Sequence, residues 1–247
     1  MKVIAMIPAR YAATRFPGKL MKDLEGKPVI VRTFEAVVDT KLFQEVYVVT
    51  DDNRIEQAIL NVGGKVIRSQ KEHQSGSDRL AEACANMEVD VIVNIQGDEP
   101  FTAKQNLEIL LQIFQQDTGN QVDVATLMER LYEGEDIANP NNVKVVVNKN
   151  NDALYFSRAF IPFPRDENSE AIYFKHIGIY AYKKQALMQF TQLEESILEK
   201  TEKLEQLRYL ENGFRIRLAE THIPTIGIDT ENDLEKAKKL WHDRFFK

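Results

Sequence analysis

The feature that most restricts the fold is an apolar run, Ile4 to Ile7, that breaks at Pro8 into a loop carrying Arg10, Arg15 and Lys19. From Met1 to Lys22 there are five basic side chains and no acidic one, in a chain of formal net charge -6. A strand that empties into a cationic loop puts backbone N–H groups and mobile cations at the carboxyl end of a sheet, where open α/β folds bind their ligands. The ligand such a loop suits is polyanionic; the alternative is a basic surface loop with no ligand.

Beyond the loop the sequence alternates between the helical and the extended period. Lys27 to Val38 carries apolar residues at helical spacing, with Pro28 tolerated in a first turn. Glu45 to Thr50 (EVYVVT) is β-branched and ends in Asp51 and Asp52. Ile55, Ala58, Ile59 and Val62 predict a helix stopped by Gly63 and Gly64, and Lys65 to Arg68 predicts another strand. Ser77 to Met87 predicts a helix capped by Ser77. Val89 to Gln96 predicts a buried strand, and Leu107, Leu110, Leu111 and Phe114 predict the next helix. This alternation predicts an α/β fold, a mainly parallel sheet with helices on both faces.

From about Asn139, two β-rich runs joined by NKNND predict an antiparallel hairpin. A strand over HIGIYAY, a charged helix from Ser196 to Glu211 ended by Gly213, and the strand FRIRLAE follow. In the final helix Thr230 and Asp233 predict an acidic variant of the capping box. With no repeat, low-complexity tract or Pro/Gly/Ser-rich linker, residues 1–247 are expected to form a single domain in which about 139–182 is an elaboration.

No stretch approaches the roughly 18 to 20 apolar residues of a membrane span, and the N-terminus lacks a signal-peptide pattern, so a cytoplasmic protein with no membrane partner is expected. The single cysteine, Cys84, rules out an internal disulfide and, spaced with Leu80 and Met87, reads as core. The acidic net charge argues against nucleic acid as a partner, which draws its affinity from clustered cations. The absence of GxxxxGK[ST], GxGxxG, HExxH and GxSxG disfavours a P-loop kinase, a Rossmann oxidoreductase, a zinc protease and an α/β-hydrolase.

QGDEP, Gln96 to Pro100, follows the strand expected to be fully buried. An acid in that place, Asp98, either caps the next helix or holds a hard cation such as Mg²⁺ against phosphate oxygens. Beside the cationic loop it supplies the second half of a nucleotide triphosphate site. Asp229 again stands between a strand and a helix, and since Thr230 is placed to cap that helix, Asp229 is available to share the metal with Asp98. Spacing alone assigns no role to HQSGSDR, YFSR, HIGIYAY or LEQLR.

Read in order, IPARYAATRFPGK, EGKPVI, HQSGSDRLAEA, VNIQGDEP, NPNNVKVVV, ALYFSRAFIPF, HIGIYAY, LEQLRYLENG and GIDTENDLEKA resemble the 3-deoxy-manno-octulosonate (Kdo) cytidylyltransferase family, the CMP-Kdo synthetases, over nearly the whole chain. The resemblance implies a nucleotide-diphospho-sugar transferase-like fold and a homodimer using Mg²⁺. It also implies the reaction of CTP with Kdo to give CMP-Kdo and pyrophosphate for lipopolysaccharide biosynthesis. Carried across by position, it assigns Arg10, Arg15 and Lys19 to the triphosphate, with Thr14 in the same loop, and the backbone of Pro8, Ala9 and Arg10 to cytosine and ribose. Gln74 and Ser75 fall to base or ribose, and Asp98 and Asp229 to Mg²⁺; Lys19, Arg15, Asp98 and Asp229 form the catalytic set. Gln96, Arg158, His176, Tyr180, Glu205 and Gln206 fall to the acidic sugar, and Arg158 suits its carboxylate by charge and fork geometry. The alternatives are the same chemistry on sialic acid or on the 8-amino analogue of Kdo, and a nucleotide-sensing domain that binds CTP without releasing pyrophosphate.

Overall fold

The structure, a computed structural model, describes residues 1–12, 16–71, 73, 75–132, 137–166 and 170–245, with side chains described to residue 243. Thr14, Arg15 and Gln74 lie outside the described residues. The chain forms two compact units, residues 1–104 with 225–247, and residues 105–224.

In the first unit β1 (Val3–Ala9) leads through a 3-10 turn (Lys19–Met21) and the short strands β2 (Asp23–Leu24) and β3 (Lys27–Pro28) into α1 (Val29–Asp39). Then come β4 (Glu45–Thr50), α2 (Asn53–Leu60), β5 (Lys65–Arg68), α3 (Gly76–Cys84) and β6 (Val91–Asn94). The strands run parallel in the order β6-β1-β4-β5. The chain therefore builds from β1 outward on one side and crosses back to place β6 on the other. That reversal puts the switch point of the sheet between the carboxyl ends of β1 and β6. Both strands are buried along almost their whole length, as two-sided cover requires.

Three boundaries differ from expectation for local reasons. α1 starts at Val29, with Pro28 just outside it in an extended conformation. α3 is capped by Ser75, whose Oγ accepts from Asp78 N at 3.2 Å, and Ser77 is the buried second residue of the helix. The strand expected over Val89 to Gln96 pairs only from Val91 to Asn94. Cys84 is buried in the core, as its spacing predicts.

The second unit holds α4 (Lys104–Gln116), β7 (Val124–Leu131), β8 (Lys144–Val147), β9 (Ala153–Ser157), β10 (Tyr173–Lys183), α5 (Lys184–Phe190), α6 (Ile197–Glu202), α7 (Gln206–Glu211) and β11 (Ile216–Thr221). β8 and β9 form the expected hairpin, β8 and β7 flank β10 antiparallel, and β11 joins β7 in parallel. The single helix expected from Ser196 to Glu211 is two: Lys203 takes a left-handed conformation (φ 55°) that ends α6 and turns the chain, so that Leu204 and Leu207 are buried. In the first unit again, α8 (Glu231–Phe245) begins with the expected cap, Asp233 N donating to Thr230 Oγ1 at 3.2 Å and Thr230 N to Asp233 Oδ2 at 3.0 Å. No helix among the described residues is long and apolar enough to cross a membrane.

Candidate functional site

At the switch point of the first unit lies a pocket of about 340 Å³ lined by Pro8, Arg10, Ala12, Phe16, Lys19, Leu20, Gln96, Gly97, Asp98 and Asp229. β1 contributes Pro8 and, just past its end, Arg10; β6 runs into Gln96, Gly97 and Asp98. Two backbone features let these segments converge. Gly18 has φ 67°, and its N–H donates to Tyr11 O at 3.2 Å, closing the loop so that Lys19 returns to the strand ends. A side chain at Gly97 would stand 3.1 Å from Ile30 Cδ1 and 3.3 Å from both Leu20 Cδ1 and Pro8 O, so glycine here lets β1 and the 3-10 turn approach without crowding. Thr33 Oγ1 fixes the same turn by donating to Gly97 O at 2.9 Å.

Lys19 is the centre of the charge arrangement. Leu20 beside it is buried, 5% exposed, and anchors the 3-10 turn, while Lys19 Nζ hydrogen-bonds both Asp98 Oδ2 and, at 2.9 Å, Asp229 Oδ1. Ile228 N donates to Asp98 O at 3.0 Å, which brings the segment bearing Asp229 up to Asp98. Two carboxylates far apart in sequence thus converge on one cationic nitrogen. Burial alone would push the Lys19 pKa down; Asp98 and then Asp229 outweigh it and hold the ammonium above the ordinary lysine value. In the sequence Lys19 reads as a phosphate ligand, and no local pattern there points to this pairing. Glu99, which no sequence motif singles out, has a carboxyl pushed up to about 8 by burial and then by the charge of Asp98. Among the described residues Glu99 Oε2 has no hydrogen-bond partner. Glu99 is therefore largely protonated near neutral pH, and the acidic charge of the pocket rests on Asp98 and Asp229.

Ser75 uses its hydroxyl within α3, donating to Asp78 Oδ2 at 3.0 Å as well as capping. A side chain built on Gly76 would stand 3.8 Å from Pro8 Cγ, so this turn does lie beside the end of β1.

Of the residues assigned to the sugar, Gln96 lines the pocket of the first unit; Arg158, His176, Tyr180, Glu205 and Gln206 belong to the second. In a regular strand His176 and Tyr180 would share a face with their Cα atoms about 13 Å apart. A bulge between Ile177 and Tyr180 shifts the register against β7, and their ring centroids lie 5.3 Å apart. Each keeps some exposed surface, but the titrating atoms lie deep. Burial pushes the His176 pKa down to about 3, and burial, then Tyr182 and Glu205, push Tyr180 well above the ordinary value. Both are neutral hydrogen-bonding groups at neutral pH. Thr126 Oγ1 has the carbonyls of Ile177 (3.0 Å) and Ile179 (2.8 Å) to donate to, so its 3.1 Å contact with His176 Nε2 is best satisfied with the proton on that nitrogen, leaving Nδ1 to accept. Arg158 is held by backbone: Nε donates to Glu202 O at 2.8 Å and Nη1 to Pro140 O at 2.9 Å. Gln206 is buried at the start of α7, directly after Glu205.

Residues 4–223 match a family model described as cytidylyltransferase. A protein of Christiangramia forsetii named 3-deoxy-manno-octulosonate cytidylyltransferase is 57% identical over 239 residues, covering 97% of this chain and 96% of that protein. A Flavobacterium johnsoniae protein of the same name is 57% identical over 243 residues, 98% of this chain and all of its own length. A solved structure described as CMP:2-keto-3-deoxy-manno-octonic acid synthetase complexed with CTP superposes with a TM-score of 0.93 at 43% identity, covering 99% of this chain and 100% of that one. A cytidylyltransferase structure from Leptospira borgpetersenii, at 17% identity and TM-score 0.68, shares the fold.

Proposed function

The chain belongs to the cytidylyltransferase family, and from that premise we propose that it joins the cytidylyl group of CTP to Kdo, releasing pyrophosphate. The observation that carries this reading is the convergence of Asp98 and Asp229 on the ammonium of Lys19, with Arg10 lining the same pocket, at the switch point of a parallel sheet. In the reaction the anomeric hydroxyl of Kdo attacks the α-phosphorus of CTP and pyrophosphate leaves in line. Such transfers need positioning and charge neutralisation more than a protein nucleophile. Arg10 and Lys19, with Arg15 beyond the described residues, are the cations for the triphosphate; the backbone of Pro8, Ala9 and Arg10, with Gln74 and Ser75, serves base and ribose.

Mg²⁺ is part of the same proposal, with Asp98 and Asp229 as its protein ligands. What supports it is that both carboxylates already meet on a single cation, the ammonium of Lys19. Mg²⁺ takes few protein carboxylates and completes its shell with water and phosphate oxygens, and two is the number found here. When bound it supplies charge neutralisation at the triphosphate. With the metal on the two carboxylates, the Lys19 ammonium that now binds them would be left to offset charge on the departing pyrophosphate. Gln96, Arg158, His176, Tyr180, Glu205 and Gln206 are proposed to hold the sugar, Arg158 through its carboxylate and the neutral His176 and Tyr180 through hydroxyls. A homodimer is proposed on the exposed apolar side chains of the second unit, Leu154 (61% exposed), Phe163 (78%) and Ile172 (48%). The product feeds lipopolysaccharide biosynthesis in the cytoplasm, as the family resemblance implies.

Pyrophosphate release with each of the four NTPs, with Kdo present or absent, tests the reading. Release with CTP and only when Kdo is present is expected. Release without sugar, faster turnover with sialic acid or the 8-amino analogue, or CTP binding with no turnover would overturn it.

A further inference from the structure

Lys144 on β8 is fully buried, and the reading above gives it no task. Its Nζ donates to Asn139 O at 3.0 Å and to Arg158 O at 2.8 Å. Asn139 immediately precedes Pro140, whose carbonyl accepts from Arg158 Nη1. One ammonium therefore fixes both the backbone that carries Arg158 and the loop that orients its guanidinium. Glu202, the last residue of α6, grips the same residue from the other side. Its carboxylate accepts from Ser157 Oγ at 2.5 Å and from Arg158 N at 2.9 Å, and its carbonyl accepts from Arg158 Nε at 2.8 Å. Among the described residues Arg158 Nη2 makes no hydrogen bond, which leaves that nitrogen to donate to a ligand. Burying an ammonium is unfavourable unless its donors are met by well-placed acceptors, so a lysine here does more than fill space.

We propose that Lys144 and Glu202 are positioning residues that hold the Arg158 guanidinium in one orientation for the carboxylate of the acceptor sugar. This rests on the assignment of Arg158 to that carboxylate. With Nε and Nη1 committed to carbonyls, Nη2 is the nitrogen left to meet the carboxylate, and since those bonds fix its direction, the orientation of Arg158 sets sugar affinity while leaving the nucleotide untouched.

The test is steady-state kinetics on Lys144→Met, which keeps the apolar stem and loses the donors, in the wild-type and Arg158→Ala backgrounds. Lys144→Met should raise KM for Kdo by about tenfold with KM for CTP unchanged, and should add nothing once Arg158 is gone, since residues acting through one another are non-additive. Glu202→Gln, which can serve only one of its two donors, should show the same pattern more weakly and keeps the test alive if Lys144→Met does not fold. If Arg158→Ala leaves KM for Kdo unchanged, the assignment of Arg158 fails and takes the inference with it. If Arg158→Ala raises it but Lys144→Met and Glu202→Gln do not, or raise it by the same factor in both backgrounds, the inference alone is overturned.

Discussion

At the ends of β1 and β6 the ionised side chains of Lys19, Asp98 and Asp229 bind one another and stay partly open to water, 17%, 20% and 49% exposed. On β10 and just past the end of β9 the groups assigned to the sugar differ: His176 and Tyr180 are driven neutral by burial, and Arg158 is fastened to backbone carbonyls. The first arrangement suits a ligand whose charge changes during the reaction, because mobile ions can exchange partners as pyrophosphate leaves. The second suits an acidic sugar whose carboxylate meets a fixed guanidinium and whose hydroxyls meet fixed neutral groups, which discriminate by being left unpaired when the wrong sugar is bound. Parallel strand ends give the one and a bulged antiparallel strand gives the other.

The contrast breaks most sharply at the proposed metal ligands. Asp98→Asn keeps the shape and loses the charge, so kcat in pyrophosphate release should fall by about 10³-fold, near 4 kcal/mol, with an unchanged circular dichroism spectrum. Asp229→Asn should follow it. Retention of more than about a tenth of wild-type kcat at saturating Mg²⁺, a loss under ~1.4 kcal/mol, would remove that residue from the metal assignment. Lys19→Ala comes next. If its ammonium meets charge that grows on the leaving group, kcat should drop about 10²-fold while KM for CTP moves little. Lys22→Ala, an exposed cation just beyond the loop, is the internal control and should cost under about 0.5 kcal/mol.

How much of this was legible in the sequence differs between the same two regions. The first unit was read almost element by element, because β-α-β repeats carry local periodicity and the acids stand where strands end. What it hid was the pairing of Lys19 with Asp98 and Asp229, a contact spanning 79 and 210 residues that no local pattern encodes. The second unit was read less well. β7 was not foreseen, since VATLMERL lacks clean alternation. The break at Lys203 carries no glycine or proline to announce it, and the bulge after Ile177 exists only through pairing with β7. Lys144, flanked by valines in VKVVV, looks like an outward-facing strand cation, and only the fold shows it buried.

A smaller effect sharpens the contrast on the stability side. With the His176 pKa near 3 in the folded chain and 6.5 ordinarily, the unfolded chain binds a proton that the folded chain does not between those values. The stability of the second unit should therefore fall as pH drops through that window, by at most about 1.4 kcal/mol per pH unit from this group. His176→Gln should lose less melting temperature than wild type between about pH 7 and pH 5; parallel losses would show that His176 is not held neutral.

The division between a nucleotide region of mutually paired ions and a pre-oriented sugar region stands or falls on one set of kinetics: kcat and both KM values for wild type, Lys19→Ala and Arg158→Lys, varying CTP and Kdo in turn. Arg158→Lys keeps the charge and loses the fork, so KM for Kdo should rise about tenfold while KM for CTP and kcat stay near wild type; Lys19→Ala should lower kcat and leave both KM values nearly alone. Equal rises in both KM values for either variant, or the same parameter moved by both, would contradict the division.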